Sequence, residues 1–368
     1  MHRGILRAAI AAAILSTALV AAAPIPAAPP GDRLDVVRLV SNVPGAAAAT
    51  DPNLVNGWGL ARSAGSPWWV ADNGAVTATG HGKATLYATP NAGPLAINPL
   101  VVTVDGGPTG TVFAGIANNF LVATTATTTL GPASFIFASE DGMIRAWRGG
   151  TAALVTAHGA PDAIYKGLAI TPPTAASPML YAADFHNGVV DMFNGAWTNV
   201  TPAGAFVDPK LKHHYAPFGI QTIGDRVFVT YAKQDADRED EIAGQGRGIV
   251  DAFDLQGNFL ARVAKGGQLN APWGLAIAPA TFGRFAGDLL VGNFGDGKIN
   301  AFEEKKDGKF EPRGTLKDNA DGKDISIDGL WALEVGNSNN NGTPNDLFFT
   351  AGPADETQGL FGKIVAPS

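Results

Sequence analysis

The sequence predicts an all-β fold, a single six-bladed β-propeller with four-stranded blades, on three observations. A strand phrase recurs six times at near-constant spacing, five times centred on glycine and once on alanine, each recurrence leads into further short apolar strands, and one lone strand stands ahead of the first repeat. Repetition at a period of this size is the mark of propellers and solenoids, and a blade of four short strands accounts for its length. The 46 glycines and 25 prolines, set among segments rich in Val, Ile, Phe and Thr, favour short strands joined by tight turns over helices.

Taken in order, the chain opens with the basic start Met1-His2-Arg3-Gly4-Ile5-Leu6-Arg7, runs apolar from Ala8 to Val20 with only Ser16-Thr17 interrupting, and reaches the small-residue site Ala21-Ala22-Ala23. That is the pattern of a secretory signal peptide. The sixteen residues from Ala8 to Ala23 fall short of the roughly 20 that span a bilayer. Cleavage is expected after Ala23, with Ala28 the alternative. The division is then a signal peptide over 1–23, a Pro/Ala-rich linker over 24–35 and one propeller domain over 36–368.

The repeat marker reads Trp58-Gly59-Leu60, Thr109-Gly110-Thr111, Lys166-Gly167-Leu168, Phe218-Gly219-Ile220, Trp273-Gly274-Leu275 and Trp331-Ala332-Leu333, at intervals of 51, 57, 52, 55 and 58 residues. Second strands are predicted over 68–71, 135–139, 180–183, 227–230, 289–292 and 347–350. Third strands follow at 86–87, 144–147, 189–193, 249–253, 299–302 and 360–364. Fourth strands follow at 100–104, 153–156, 197–200, 260–264 and 313–316. The sixth unit runs out of chain before its fourth strand, and Val36-Val37-Arg38-Leu39-Val40 is a strand without a partner. The N-terminal strand is therefore expected to complete the last blade, a closure that leaves no long sheet edge exposed.

Three stretches depart from the repeat. Residues 124–129, rich in Thr and Ala, read as a loop or strand extension in the second blade. Asp235-Ala236-Asp237-Arg238-Glu239-Asp240-Glu241 reads as an exposed charged insertion, and 303–324, dense in Lys, Asp and Gly, as the solvated outer edge of the fifth blade. A net charge of −7 argues against nucleic acid and is compatible with cations. With no cysteine the chain has no disulfide, thiolate nucleophile or zinc–thiolate site, so burial must stabilise it.

The phrases Asp184-Phe185-His186-Asn187-Gly188-Val189-Val190-Asp191, Asn293-Phe294-Gly295-Asp296-Gly297-Lys298-Ile299 and Thr50-Asp51-Pro52-Asn53-Leu54-Val55-Asn56-Gly57-Trp58-Gly59-Leu60 resemble those of an uncharacterised family of exported bacterial proteins related to NHL-repeat propellers. The likeness covers nearly all of the chain after its leader. It implies a six-bladed propeller and a periplasmic or secreted address, and it brings no catalytic residue with it. Members of that family often end in a membrane-sorting tail. This chain ends Gly362-Lys363-Ile364-Val365-Ala366-Pro367-Ser368, so no membrane anchor is expected after signal cleavage.

In a propeller, the loops leading into the first strand and those joining the second and third strands open on one face around the central channel. The residues after the second strands form a column of Asp72, Glu140, Asp184, Tyr231, Asn293 and Ala351. Asp51, Asn53, Asn56, Trp58, Tyr165, Lys166, His213, His214, Tyr215, Trp273 and Asp328 reach the same face from the loops leading into first strands. Oxygen ligands around an axis suit Ca²⁺, with Asp72, Glu140, Asp184 and Asn293 as the ligands. His186 and Lys233 are the candidates for moving protons. Asn73-Gly74, Asp141-Gly142, Asn187-Gly188 and Asp296-Gly297 are what tight hairpin turns require, and they are discounted as site residues. Asp and Asn at strand ends also close Asx turns, so any single member of the column is more readily structural than functional. Trp58, Trp273 and Trp331 read as packing between blades.

Two functions follow. One is a monomeric binding or scaffold propeller that takes a small molecule, glycan or protein on a polar, Ca²⁺-compatible central face. The other is a metal-dependent hydrolase of a lactone, ester or phosphoester. The second rests on fold analogy with gluconolactonase-like propellers, whose motifs are absent, and no Gly-x-Ser-x-Gly elbow occurs. Binding is favoured, and whether the chain is an enzyme stays open at this point.

Overall fold

In the computed structural model, which describes residues 32–74, 81–91 and 93–367, the chain is built almost entirely of strands gathered into six sheets around an axis. The first strands of the blades are Gly57–Ala61, Pro108–Phe113, Tyr165–Ile170, Tyr215–Ile223, Pro272–Ile277 and Leu330–Val335. Each packs against the first strand of the next blade, and the last packs against the first, so the ring closes. The leader and most of the linker expected over 1–35 lie outside the described residues.

The recurring glycine has a steric cause. At Gly59 a Cβ would stand 2.6 Å from the Thr109 carbonyl oxygen, and at Gly167 one would stand 2.7 Å from the Phe218 carbonyl oxygen. Gly110, Gly219 and Gly274 likewise press on the backbone of the neighbouring first strand. At these five positions neighbouring inner strands therefore meet backbone to backbone, closer than a side chain would allow, and the sixth position holds the small Ala332.

Outward from each first strand the ladder is antiparallel. In the second blade Pro108–Phe113, Phe135–Ser139, Met143–Trp147 and Leu154–His158 pair in sequence, and the fourth and fifth blades repeat the arrangement. In the first blade the outer position is divided between Ala96–Ile97 and Val102–Asp105, both on the third strand His81–Ala88. The hairpins joining second to third strands turn on Gly142, Gly188 and Gly297, with φ of 72°, 70° and 68°, as their Asp-Gly and Asn-Gly dipeptides require.

The N-terminal strand closes the last blade. Arg33–Ser41 lies antiparallel to Leu360–Val365, from Asp35 opposite Val365 to Ser41 opposite Leu360. It begins three residues before the expected start, because Arg33 and Leu34 also pair in parallel with Lys317 and Asp318. Leu34 is buried against the fifth and sixth blades, and Val40 is buried beside Trp68 and Phe361. Both ends of the strand are thus anchored in the core.

Two segments differ from expectation. In the third blade Tyr165–Ile170, Met179–Asp184 and Val189–Asn194 form the sheet, and the fourth position is reduced to one bridge between Phe193 and Asn199. Two backbone hydrogen bonds flank that bridge, Asn194 N–H to the Thr198 carbonyl and Val200 N–H to the Met192 carbonyl, and side chains cut the ladder short around them: Asn194 Oδ1 accepts from the N–H groups of Ala196 and Thr198, and Thr201 Oγ1 accepts from Met192 N–H. Trp197, with φ of 66°, instead donates through Nε1 to the Leu121 carbonyl and packs on Phe120. The Thr/Ala-rich stretch forms a separate hairpin, Leu121–Thr124 with Thr127–Pro132. The run from 303 to 324 holds the outer strand Phe310–Thr315 and ion pairs such as Lys309–Asp307 and Lys323–Asp321, the solvated edge anticipated.

Candidate functional site

The residue before each marker position points into the channel from one end, and together these six residues plug it. They are Trp58, Thr109, Lys166, Phe218, Trp273 and Trp331, all buried. Trp331 packs against Trp58 with centroids 3.9 Å apart, stacks on Phe294 at 4.0 Å, and meets Phe218 and Trp273 at 5.8 and 6.0 Å. Asn56 Oδ1 accepts from both Trp58 Nε1 (3.0 Å) and Trp331 Nε1 (2.9 Å), and Trp273 Nε1 donates to the Lys166 carbonyl (2.8 Å). The indoles are spent on packing and internal hydrogen bonds, which agrees with reading them as packing.

Lys166 is the exception in this plug. Its side chain is 2% exposed, and its ammonium lies 5.2 Å from the Trp58 ring centroid. Nζ donates to Glu140 Oε1 at 2.5 Å and to Asp240 Oδ1 at 3.1 Å. Burial alone would push the ammonium's pKa down, but the charges of Glu140 and Asp240, with Glu241 behind them, outweigh it and hold the group above its usual value. Glu140 Oε2 also accepts from Asn73 Nδ2 (2.8 Å), and Glu356 Oε2 accepts from Asn56 Nδ2 (2.5 Å).

Above the plug is a cavity of about 620 Å³ lined by Glu140, Ile164, Lys166, Glu239, Asp240, Glu241 and Glu356. Burial pushes the Glu241 carboxyl up to about 8, against the opposing pull of Lys166. Glu356 is raised for the same reason, opposed by its hydrogen bond from Asn56 and by Lys166. The mouth therefore holds five carboxyl groups against one ammonium, two of them reluctant to ionise. The insertion 235–241, expected to be exposed, supplies three of the five. It folds back on itself, with Asp235 N–H donating to the Asp240 carbonyl and Ile242 N–H to the Lys233 carbonyl. Asp240 keeps much of its surface in solvent while its carboxylate reaches Lys166.

The four residues expected to ligate a metal lie apart in function. Glu140 is in the mouth. Asp184 closes its own turn, accepting from Asn187 N–H (3.1 Å) and Nδ2 (2.8 Å), and ties down Ile164 N–H (3.2 Å). Asn293 donates to the Gln268 carbonyl and to Asp296 Oδ1. Asp72 is buried in the first blade with both oxygens unpartnered, Thr85 close by without a well-formed hydrogen bond; burial raises its pKa well above the carboxylate range, and Asp51 adds to the rise. Among the described residues no group of three or more His, Asp or Glu side chains is disposed to hold a metal ion.

His186 stands at the rim, its Nε2 3.7 Å from Asp162 Oδ2, and Lys233 ends the second strand of the fourth blade; neither lines the cavity. Of the discounted turn residues, Asp141 holds Arg145 with two hydrogen bonds and Asp296 accepts from Asn293, while Asn73 reaches Glu140. Sequence reasoning placed Lys166 on this face without singling it out. Its signal was a charged residue in the marker column, where four of the other five positions hold an aromatic ring.

No family model matches the chain. It is 31% identical to the uncharacterised protein R648 of Acanthamoeba polyphaga mimivirus over 337 residues, covering 89% of this chain and 78% of the viral protein. Two further uncharacterised mimivirus proteins are 32% and 31% identical over 54% and 55% of this chain, which spans 37% and 51% of their lengths. These relatives are viral, so the expected bacterial origin is not supported. Among solved structures, a mutant α-L-arabinofuranosidase from Fusarium graminearum in complex with an iminosugar inhibitor aligns with a TM-score of 0.54 at 12% identity over 91% of this chain and 98% of that one. An α-L-arabinanase from Penicillium chrysogenum with arabinobiose aligns with a TM-score of 0.53 at 11% identity over 90% and 97%. At these identities the likeness is one of fold.

Proposed function

The chain belongs to the family of the mimivirus protein R648, and we propose that it is a binding propeller whose acid-lined channel mouth takes a small molecule bearing ammonium or guanidinium groups. The observation that carries this reading is the imbalance of the mouth: Glu140, Glu239, Asp240, Glu241 and Glu356 face one cavity with Lys166 as the sole counter-charge in its lining. Its volume, about 620 Å³, lies within the range of roughly 300–1,000 Å³ of small-molecule sites. Converging carboxylates raise one another's pKa and relax when a cation arrives. Glu241, held near 8, would lose its proton as the guest binds, so affinity should strengthen between about pH 6 and 9.

Calcium is the competing guest, since carboxylates are hard oxygen donors. The dispersal of the acidic side chains, with no three grouped for a metal among the described residues, favours the organic cation. Calorimetry with spermidine, arginine and calcium chloride separates them. Saturable binding of an organic cation, weakened when Glu239 and Glu241 are both changed to Gln, supports the reading. Saturable calcium binding alone would move the assignment to a metal, and no heat from any of the three would sink it.

One observation favours a second reading, hydrolysis. A carboxyl that keeps its proton near neutrality, Glu241, shares the cavity with the ion-paired Glu140, and an acid beside a base is what cleavage of a glycoside, ester or lactone needs. Turnover on a panel of such substrates, abolished by Glu241→Gln, would establish it; silence across the panel would leave binding alone.

A further inference from the structure

The plug divides the channel, and its far end opens in a second cavity that the upper mouth cannot share. We propose that this lower mouth is a binding site for a small neutral polyol or monosaccharide. The cavity, about 220 Å³, is walled by Leu60, Val112, Ile170 and Pro173 and edged by polar groups from four blades. A void of about 20 Å³ among the inner strands, lined by Gly59, Leu168, Leu275 and the plug residue Trp273, shares Leu60, Thr111 and Gln221 with this cavity.

Charge and hydrogen-bonding capacity select the guest. Arg62 and Glu334 face each other across the lining at 3.5 Å, so the site presents no net charge and would not hold an ion. Arg62 spends Nε and Nη2 on the Val335 carbonyl, at 3.1 and 2.6 Å. Glu334 Oε2 accepts from Gln221 Nε2 at 3.2 Å. The hydroxyls of Thr111 and Thr222 have almost no accessible surface and no hydrogen-bond partner in the protein, so a guest bonds them by drawing their side chains about χ1 toward the cavity that both residues line. Buried polar groups are nearly always satisfied, by protein, water or ligand. Two unpartnered hydroxyls beside a neutralised guanidinium–carboxylate pair call for a guest that both donates and accepts. The aliphatic walls call for one with C–H faces. A small sugar or cyclic polyol has both, and an amine or carboxylate has not.

Saturation-transfer NMR on the full chain with D-glucose, D-xylose and myo-inositol as probes tests the assignment, followed by titration of whichever binds. Thr111→Val and Thr222→Val remove only the hydroxyls and keep the shape. Each should weaken binding by about tenfold, the value of one good hydrogen bond. Melting curves at or above that of the parent would show that both variants fold. Glu239→Gln in the upper mouth should leave sugar binding unchanged, which keeps this outcome separate from that of the cation test. No saturation transfer at tens of millimolar probe, binding indifferent to both threonine variants, or binding abolished by the upper-mouth change would each overturn the proposal.

Discussion

Changing Glu140 to Gln should destabilise the propeller because of where it leaves Lys166. That ammonium is 2% exposed and has two anionic partners, Glu140 at 2.5 Å and Asp240 at 3.1 Å. Removing one partner of a buried pair typically costs about 3–5 kcal/mol, chiefly because the other charge is left uncompensated. Two features reduce that figure. Glu140 is itself 31% exposed, so solvent already screens part of the pair, and Asp240 remains in place. We expect about 2 kcal/mol, read as a lower midpoint in urea at pH 7. Asp240→Asn should cost under about 0.5 kcal/mol, since that carboxylate is 74% exposed. The decisive measurement is the double change of Glu140 to Gln with Lys166 to Met. Replacing both charges by neutral groups of similar size removes the desolvation problem, so the double variant should regain most of the loss, with a coupling of about 2 kcal/mol. Because burial is outweighed and the Lys166 pKa is raised, the pair's contribution is intact below the ordinary lysine value of 10.5 and is lost as pH climbs through the higher folded value. A single variant within 0.5 kcal/mol of the parent, or a double variant that is merely additive, would refute the reasoning.

Glu241 gives a pH dependence of its own. Its folded pKa of about 8 lies above the ordinary 4.5, so its contribution to stability is full below 4.5 and is lost as pH rises to 8. Glu241→Gln should flatten that limb of the stability–pH curve and stabilise the fold above pH 8; a curve unchanged in slope would show that the carboxyl ionises normally. Deleting residues 36–40 removes the strand that closes the last blade, together with buried Val40, and should lower the melting temperature by more than about 10 °C; an unaffected melting curve would refute closure. Gly219→Ala drives a methyl into the Trp273 carbonyl and should cost about 1–3 kcal/mol, whereas Gly224→Ala, with open space but φ of 64°, should cost about 1 kcal/mol from backbone strain alone; equal losses would mean that the glycine ring is not a steric contact.

The fold was legible because its causes are local and repeated. A glycine is required at five of the six contacts between inner strands, an Asn-Gly or Asp-Gly turns the hairpins of the second, third and fifth blades, and that recurrence made the pattern readable. The fourth strand of the third blade, expected over 197–200, is only a short pairing of 198–200 with the third strand, because Asn194 and Thr201 side chains capture N–H groups that a longer ladder would use. The site was legible only in part. Column positions after the second strands share an address in the repeat, but sharing an address does not make side chains converge. Asp184 and Asn293 had bonding partners within a few residues, and local partners form first at strand ends.

What brings the upper mouth together is non-local and irregular, and no pattern in the sequence announces it. Glu356 reaches the cavity because Ala354, Asp355 and Glu356 all take left-handed backbone, with φ of 55°, 50° and 62°, three non-glycine residues in a row where single ones are uncommon. Asp240 and Glu241 arrive through an insertion whose composition is that of a solvated loop. Glu140 was expected on this face as a metal ligand, and Lys166 was placed there without being singled out, although it is the one charge in a column of buried residues. A cation fixed in the plug, at a position where four sister blades use an aromatic ring, attracts the carboxylates that the irregular loops deliver. The repeat thus supplies a rigid floor, and the departures from the repeat supply the chemistry above it. Testing the departures, at Glu239, Glu241 and Glu356, is therefore more informative about function than testing any position that recurs in every blade.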